Sequence, residues 1–455
     1  MILDFSIQNF GPIKDEQILS FEALTSTRYE DHYVIHPKLE NGDPILRQEK
    51  PVRLLKLAMI FGANASGKTT VLEALNFLRQ LVLDRKEDKA ETLDFRPFAF
   101  DSESEDAPTL LKIRFYHKGI LFEHHFEFNQ FCIIKEIVHY WDYNTTGRKR
   151  LLFERNTQQH SQVTELTKIS DQVIAENNLS QRAIESLQLA TLWNESILVG
   201  FNKVNFLFKE LHLMQEWYSN VLEGMIDNQR NRIDQRIFKI VEEDPEGEAF
   251  ITEFLHQSDF GIQGFRIENL SSPELLSGLA SIISTFSPLL KNERDEEVSE
   301  KEILEKLQNR PIKRIQVRYG VMDDQYFLPL KCTSLGTRRA LILAGLLYLL
   351  VKEHKVLMID EFESSLHPDL AEFFLSQFLK SVKHSQLILT THSRELMQIK
   401  EFVERRDVIW FTDKNQQLET ELYSLGDFSS KELRRESSIY NFYKIGKLGA
   451  KPNII

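Results

Sequence analysis

The sequence predicts an α/β fold: a mixed β-sheet with flanking helices, an antiparallel β part and a helical insertion. Three observations carry this reading. An apolar run, Leu57 to Phe61, leads into a glycine-bounded loop, and a helical pattern from Val71 to Leu78 leads out. Strand-like runs at 356–359 and 387–391 are short and begin with continuous apolar residues, as in strands buried on both faces, and a helical pattern lies between them. Between Phe98 and Phe153 apolar residues alternate, with turn signals at Lys118-Gly119 and Asn144-Thr145-Thr146-Gly147.

The 455 residues suffice for two or three domains. The divisions expected are 1–155, 156–310 and 311–455. Residues 1–22 alternate around Gly11-Pro12 and read as a hairpin or paired edge strands; 23–52 read as a loop. Residues 84–92 are a solvated charge run. The histidines at 117, 124, 125 and 139 lie on alternating strands without cysteine or clustered carboxylate partners, so they read as ordinary surface or core residues. The middle segment is mainly helical in spacing. It has a break at Asp244-Pro245-Glu246-Gly247 and an acidic linker at 291–297. It carries no sustained heptads and no CxxC, which argues against a coiled-coil arm. Strands resume at Ile315–Tyr319 and Gln325–Leu328.

The formal charge of −12 argues against a large nucleic-acid surface and leaves room only for a local basic patch. Two cysteines, Cys132 and Cys332, far apart, fit a reducing cytosol. Residues 1–11 lack a secretory pattern. The longest apolar stretch, Ala340 to Val351, is 12 residues, short of the roughly 20 a membrane helix needs. A cytoplasmic chain without a membrane segment is the expectation.

The loop at 62–69 fits Gly-x-x-x-x-Gly-Lys-Thr at every fixed position. Gly62 and Gly67 let the backbone curl with its N–H groups inward, and Asn64, Ala65, Ser66 and Thr70 complete the cradle. The helix that follows adds its positive end, so the loop suits a polyphosphate. Lys68 brings a mobile charge, and the Thr69 hydroxyl can ligate Mg²⁺. Asp360 and Glu361 close a buried strand. Asp360 suits the metal, and Glu361 can orient or deprotonate a water. His392 closes another strand and can donate to a γ-phosphate. Ser334-Leu335-Gly336-Thr337 opens a helix and forms a second anion-type helix end, best explained by a partner copy's nucleotide.

The order of these segments, together with the turn Ser365-Leu366-His367-Pro368, resembles the ABC-type ATPase heads of the SMC/RecF group. Three stretches narrow the resemblance to the abortive-infection or anti-phage branch of AAA proteins (AbiL/RloA-like, more distantly AriA-like). They are Phe61 to Lys68, Tyr423 to Phe428, and Gly446 to Ile454. The likeness covers 1–155 and 310–455; the helical middle matches only in general character. The resemblance implies an ABC-ATPase head split between the chain's two ends. It implies ATP and Mg²⁺ as cofactors, with Lys68 and Thr69 on phosphate and metal, Asp360 on the metal, Glu361 and Lys68 in catalysis, and His392 as the switch. Ser334 and Gly336 are then expected to contact the γ-phosphate of the opposite subunit, with Ser365 to His367 speaking across the dimer. Thr337 departs from the family's second glycine. No glutamine for a Q-loop is placed, Gln80 lying inside the first helix, and the adenine-stacking residue is unassigned.

The function expected is an ATPase that dimerises head to tail and acts as sensor and scaffold for a separately encoded effector in anti-phage defence. No intrinsic nuclease is expected, since only 63 residues follow His392 and they lack a spaced acidic pair. The alternative is a RecF-like DNA binder in repair or recombination, using Arg53, Lys56, Arg338 and Arg339. A transporter ATPase is a weaker third reading.

Overall fold

The computed structural model describes residues 1–158, 163–226, 235–258, 260–270, 312–321, 324–428 and 439–450. The acidic linker at 291–297, Ile233 and residues 451–454 of the tail lie outside them. The chain divides into two compact units, 1–231 with 349–364 and 371–455, and 232–348 with 365–370.

The first unit rests on a five-stranded sheet drawn from both ends of the chain. Strands are numbered here in chain order. β3 (Leu57–Gly62) lies between β13 (Gln386–Thr391) and β14 (Ile409–Lys414), with β12 (Val356–Ile359) beyond β13 and β15 (Thr420–Ser424) beyond β14. The first four run parallel, and β15 is antiparallel. β3, β12 and β13 are buried along their whole length, which is why they read as unbroken apolar runs. Because these three are parallel neighbours, the residues that follow each of them emerge at one sheet edge.

Helix α1 (Lys68–Leu83) buries Val71, Leu72, Leu75, Leu78 and Val82, a stripe at helical spacing. It also holds a covering segment in place. Arg79 Nε donates to Leu222 O (2.7 Å) and Met225 N donates to Asn76 Oδ1 (3.0 Å). Leu222 and Ile226 bridge in parallel to Val356 and Ile359, so 222–226 seals the otherwise open edge of β12.

A seven-stranded antiparallel sheet completes this unit. Its strands are β1 (Ile2–Gln8), β2 (Gln17–Ser20), β4 (Thr109–His117), β5 (Ile120–Phe128), β6 (Ile133–Asp142), β7 (Lys149–Gln158) and β8 (Val163–Ile169). Their order is β8-β7-β6-β5-β4-β1-β2. β1 and β2 pair as a hairpin, but β4 covers the other side of β1, so of these two strands β2 alone is an edge. β8 falls within the stretch read as mainly helical. It is a polar edge strand whose pairing with β7, rather than any apolar alternation, makes it a strand. The region read as the loop 23–52 carries one helical turn, Glu30–Tyr33, and three two-residue strands.

A buried ionic network ties this sheet to the chain that follows it. The Glu136 carboxylate accepts from Arg155 (3.0 Å), the Ser196 hydroxyl (2.7 Å) and Ile197 N (3.1 Å), and lies 3.1 Å from His124 Nε2. His124 Nδ1 lies 3.0 Å from the Tyr218 hydroxyl. Glu136, Arg155 and His124 are all fully buried. His124 is thus a hydrogen-bonded core residue.

The second unit holds the antiparallel sheet β9 (Ile262–Leu270), β10 (Ile312–Val321) and β11 (Asp324–Pro329), with α2 (Gln235–Glu243), α3 (Pro245–Gln257) and the start of α4 (Leu335–Lys352). The break at Asp244 is a helix start. Asp244 Oδ1 accepts from Glu246 N and Gly247 N (3.1 Å each) with Pro245 in the first turn. Tyr348 donates its hydroxyl to Asp244 Oδ2 (2.6 Å). Among the described residues no helix is long and apolar enough to cross a membrane.

Replacing Arg155 by Met removes one partner of a fully buried carboxylate. Such a loss costs about 3–5 kcal/mol. The urea midpoint of Arg155→Met is therefore expected to fall well below that of the wild type, with the slope unchanged.

Candidate functional site

The phosphate loop is shaped by its backbone and braced from behind. Ala65 and Gly67 take left-handed φ values of 61° and 100°. A Cβ on Gly62 would sit 2.5 Å from both Ser66 Oγ and Thr412 Oγ1, and one on Gly67 2.6 Å from Thr420 Oγ1. Only glycine fits at either position. The same threonines hold the loop: Thr412 Oγ1 lies 2.6 Å from Ser66 Oγ, and Thr420 donates to Ser66 O (2.9 Å). The Ser66 side chain is thus buried beneath the loop. Lys68 Nζ donates to the carbonyls of Gly62 (3.0 Å) and Ala63 (2.9 Å).

The acidic pair arrives from β12. Thr69 Oγ1 lies 3.1 Å from both carboxylate oxygens of Asp360. Thr390, the fifth residue of β13, donates its hydroxyl to Asp360 Oδ1 (2.5 Å) and accepts from Glu361 N (2.9 Å). This one hydroxyl orients both acids. Glu361 adopts φ 44°, a left-handed conformation that costs a side-chain-bearing residue on the order of 1–3 kcal/mol. His392 follows β13, and its backbone N donates to Glu363 Oε1 (2.5 Å).

These groups meet at one cavity of about 570 Å³. Asn64, Ala65, Gly67, Lys68, Thr69 and Thr70 form its floor, with Glu361 and His392 on the wall. Gly62 and Ser66 lie behind the floor. Gly11, Pro12, Arg96, Phe100 and Lys414 close the other side.

That second wall is organised by Asn9. Its Nδ2 donates to Ser104 O (2.8 Å) and Ala107 O (3.0 Å), and its Oδ1 accepts from Phe98 N (2.9 Å). Gly11 N donates to Arg96 O (2.8 Å). The turn after β1 and the segment 96–108 are thereby one piece. Asn9, Thr390, Thr412 and Thr420 were not singled out from the sequence. Only the Gly-Lys-Thr loop announces itself locally; its braces come from strands more than 300 residues away.

Burial pulls the Lys68 ammonium down to about 8, against the opposing pull of Asp360, Glu363 and Glu361. Burial, and then the charge of Lys68, hold the His392 imidazole below its ordinary range. The cavity is thus primed with basic groups that a polyanion would charge more fully.

Ser334 and Gly336 belong to the second unit. Ser334 Oγ accepts from Thr337 N (3.0 Å) and lies 2.8 Å from Thr337 Oγ1, so Ser334 caps α4. A Cβ on Gly336 would approach Ser365 O at 3.1 Å, which joins the helix start to the 365–368 turn. The departure at Thr337 has a local consequence: its hydroxyl engages Ser334. Gln80 stays within α1, where its carbonyl accepts from Asp84 N (2.8 Å).

A family model described as "AAA domain, putative AbiEii toxin, Type IV TA system" matches residues 57–398, three quarters of the chain. No curated protein matches it in sequence. Similar solved structures include the SMC head domain from Thermotoga maritima, at 12% identity over 93% of this chain and 98% of that one (TM-score 0.36). A second is an SMC head bound to the C-winged helix domain of ScpA, at 11% identity over 93% and 97% (TM-score 0.39). A third is an Smc head domain with an extended coiled coil bound to the C-terminal domain of ScpA, derived from Pyrococcus furiosus, at 12% identity over 99% of each chain (TM-score 0.33).

The lowered Lys68 value gives a signed expectation. Below about pH 8 the free protein already carries the charge that meets a phosphate; above it, binding must take up a proton. Polyphosphate affinity is expected to fall as pH rises from 7.5 to 9.5, by no more than about tenfold per unit. Titration with a fluorescent triphosphate measures it.

Proposed function

The chain belongs to this AAA-domain family, and on that footing we propose that it binds and hydrolyses ATP with Mg²⁺. The observation that carries the reading is the single cavity that joins the phosphate loop to Glu361 and His392, with Asp360 hydrogen-bonded to Thr69 of its floor. The donor set fits the metal. A hydroxyl and a carboxylate face each other at 3.1 Å, and an all-oxygen pair that leaves room for phosphate and water suits Mg²⁺. Thr69 and Asp360 would hold the ion, which supplies charge neutralisation on the phosphates.

The remaining roles follow from position. Lys68 exchanges its two backbone carbonyls for phosphate oxygens. Glu361 orients the attacking water and accepts its proton, and its strained backbone lets it move as the site closes. His392 donates to the outermost phosphate and carries its presence to Glu363 through the backbone. Phe100, 63% exposed at the cavity wall, takes the flat face of the base.

In this reading two copies pair head to tail. Ser334 and Gly336 of one copy complete the pocket of the other. ATP holds the pair together and hydrolysis releases it. The chain then serves as sensor and scaffold for a separately encoded effector in abortive-infection defence. The family's description, "putative AbiEii toxin, Type IV TA system", supports a separately encoded partner.

Four variants test the reading. Lys68→Ala is expected to weaken ATP binding at least tenfold in calorimetry, through loss of a charge-assisted contact. Glu361→Gln is expected to bind ATP and to lose turnover; full hydrolysis by that protein rejects the assignment. Ser334→Arg is expected to bind ATP normally but neither to dimerise with it nor to turn it over, as read by mass measurement and phosphate release. Phe100→Ala is expected to raise the KM for ATP severalfold, up to about tenfold, the worth of one aromatic contact.

A further inference from the structure

A second cavity of about 610 Å³ lies in the first unit. Its walls include Glu353 to Lys355, which lead into β12, and His384, which precedes β13. Asp360 and His392 follow the far ends of those strands. Four and six residues at about 3.3 Å each separate the two places by roughly 13–20 Å. The two cavities share no lining residue.

The chemistry of the walls is one-sided. Lys38, His117, Lys118, His354, Lys355 and His384 line the cavity, against only two carboxylates, Glu216 and Glu353. Both carboxylates are already engaged. Glu216 meets Lys118 at 2.7 Å and His117 at 3.5 Å; Glu353 meets Lys355 at 2.9 Å. Lys38 and His384 have no carboxylate partner among the described residues. The Nε2 atom of His354 is buried without a hydrogen bond, and that of His117 has only the 3.5 Å approach of Glu216. Buried polar atoms left in this way are rare and costly.

Burial holds His354 and His384 below their ordinary range, and positive neighbours add to it: the N-terminal ammonium, His117, His384 and Lys355 at His354, and Lys38, Lys383 and Lys56 at His384. His117 is held low by burial first as well. The imidazoles are thus held toward their neutral form and offer ring N–H donors, while Lys38 carries a charge that no acid of the walls meets. An anion gains from both. No arginine is among the lining residues, so the planar two-bond geometry that selects carboxylates is missing. Point-like lysine and imidazole donors arriving from four separate segments suit the several oxygens of a tetrahedral phosphate. The volume lies within the range of small-ligand sites and has room for more than a bare ion.

We propose that this cavity is a second anion site that takes a phosphate-bearing small molecule, with Lys38, His354 and His384 as its principal donors. The proposal is independent of the nucleotide reading, and its test removes that site first. Lys68→Ala protein is titrated by calorimetry with inorganic phosphate and, separately, with ribose 5-phosphate. One binding event per chain is expected, weakened at least tenfold when Lys38→Ala and His384→Ala are added. Both of those residues are exposed, so melting temperatures should agree and a folding defect is separable. His354→Gln, which keeps a polar side chain, is expected to weaken binding as well. Equal affinity for the two probes identifies free phosphate as the ligand; tighter ribose 5-phosphate identifies an ester. Absence of binding to both probes, or binding indifferent to Lys38→Ala and His384→Ala, overturns the proposal.

Discussion

Everything at the candidate site depends on the parallel pairing of β3 with β13, and of β13 with β12. Leu57 to Phe61 lie opposite Leu387 to Thr391, and Val356 to Ile359 opposite Gln386 to Leu389. In parallel strands the direction of exit is shared. Lys68, and Asp360 and His392 nearly 300 residues or more after it, are therefore delivered to one edge without a dedicated loop for each. A one-residue slip between β12 and β13 would turn Thr390 away from Asp360. The apolar continuity of the three strands and the seal by 222–226 protect that register.

Around this frame the molecule uses small polar side chains as braces. Thr390 aligns two acids, Thr412 and Thr420 support the phosphate loop, and Asn9 fastens the opposite wall. Each is a short side chain, so little conformational entropy is lost in fixing it. The strained residue, Glu361, sits where these braces converge. A rigid floor with one movable acid is what a site that must first bind and then react requires.

The strand–loop–helix unit, the buried strand ending in Asp360-Glu361 and the strand before His392 were legible because each carries its signal locally, in apolar continuity or glycine spacing. The antiparallel sheet from 109 to 158 was legible for the same reason. β8 was not, since its side chains are mostly polar and its strand character comes from its neighbour. Nor was the covering segment 222–226, whose partners are in α1 and β12. Asn9 reads as a turn residue beside Gly11-Pro12; its reach to 98–107 has no trace in sequence spacing. The second cavity escaped for a related reason. Its histidines and lysines sit at the ends of elements, one or two at a time, and only the fold gathers them.

The account's central claim is that residues 69 and 360, from opposite ends of the chain, share one metal ion bound with a nucleotide. The most direct measurement is electron paramagnetic resonance of Mn²⁺ in place of Mg²⁺, with ATP present. The wild-type protein should show bound Mn²⁺ coupled to phosphorus. Thr69→Val and Asp360→Asn should each weaken or abolish that signal, and unaltered coupling in either variant would contradict the account.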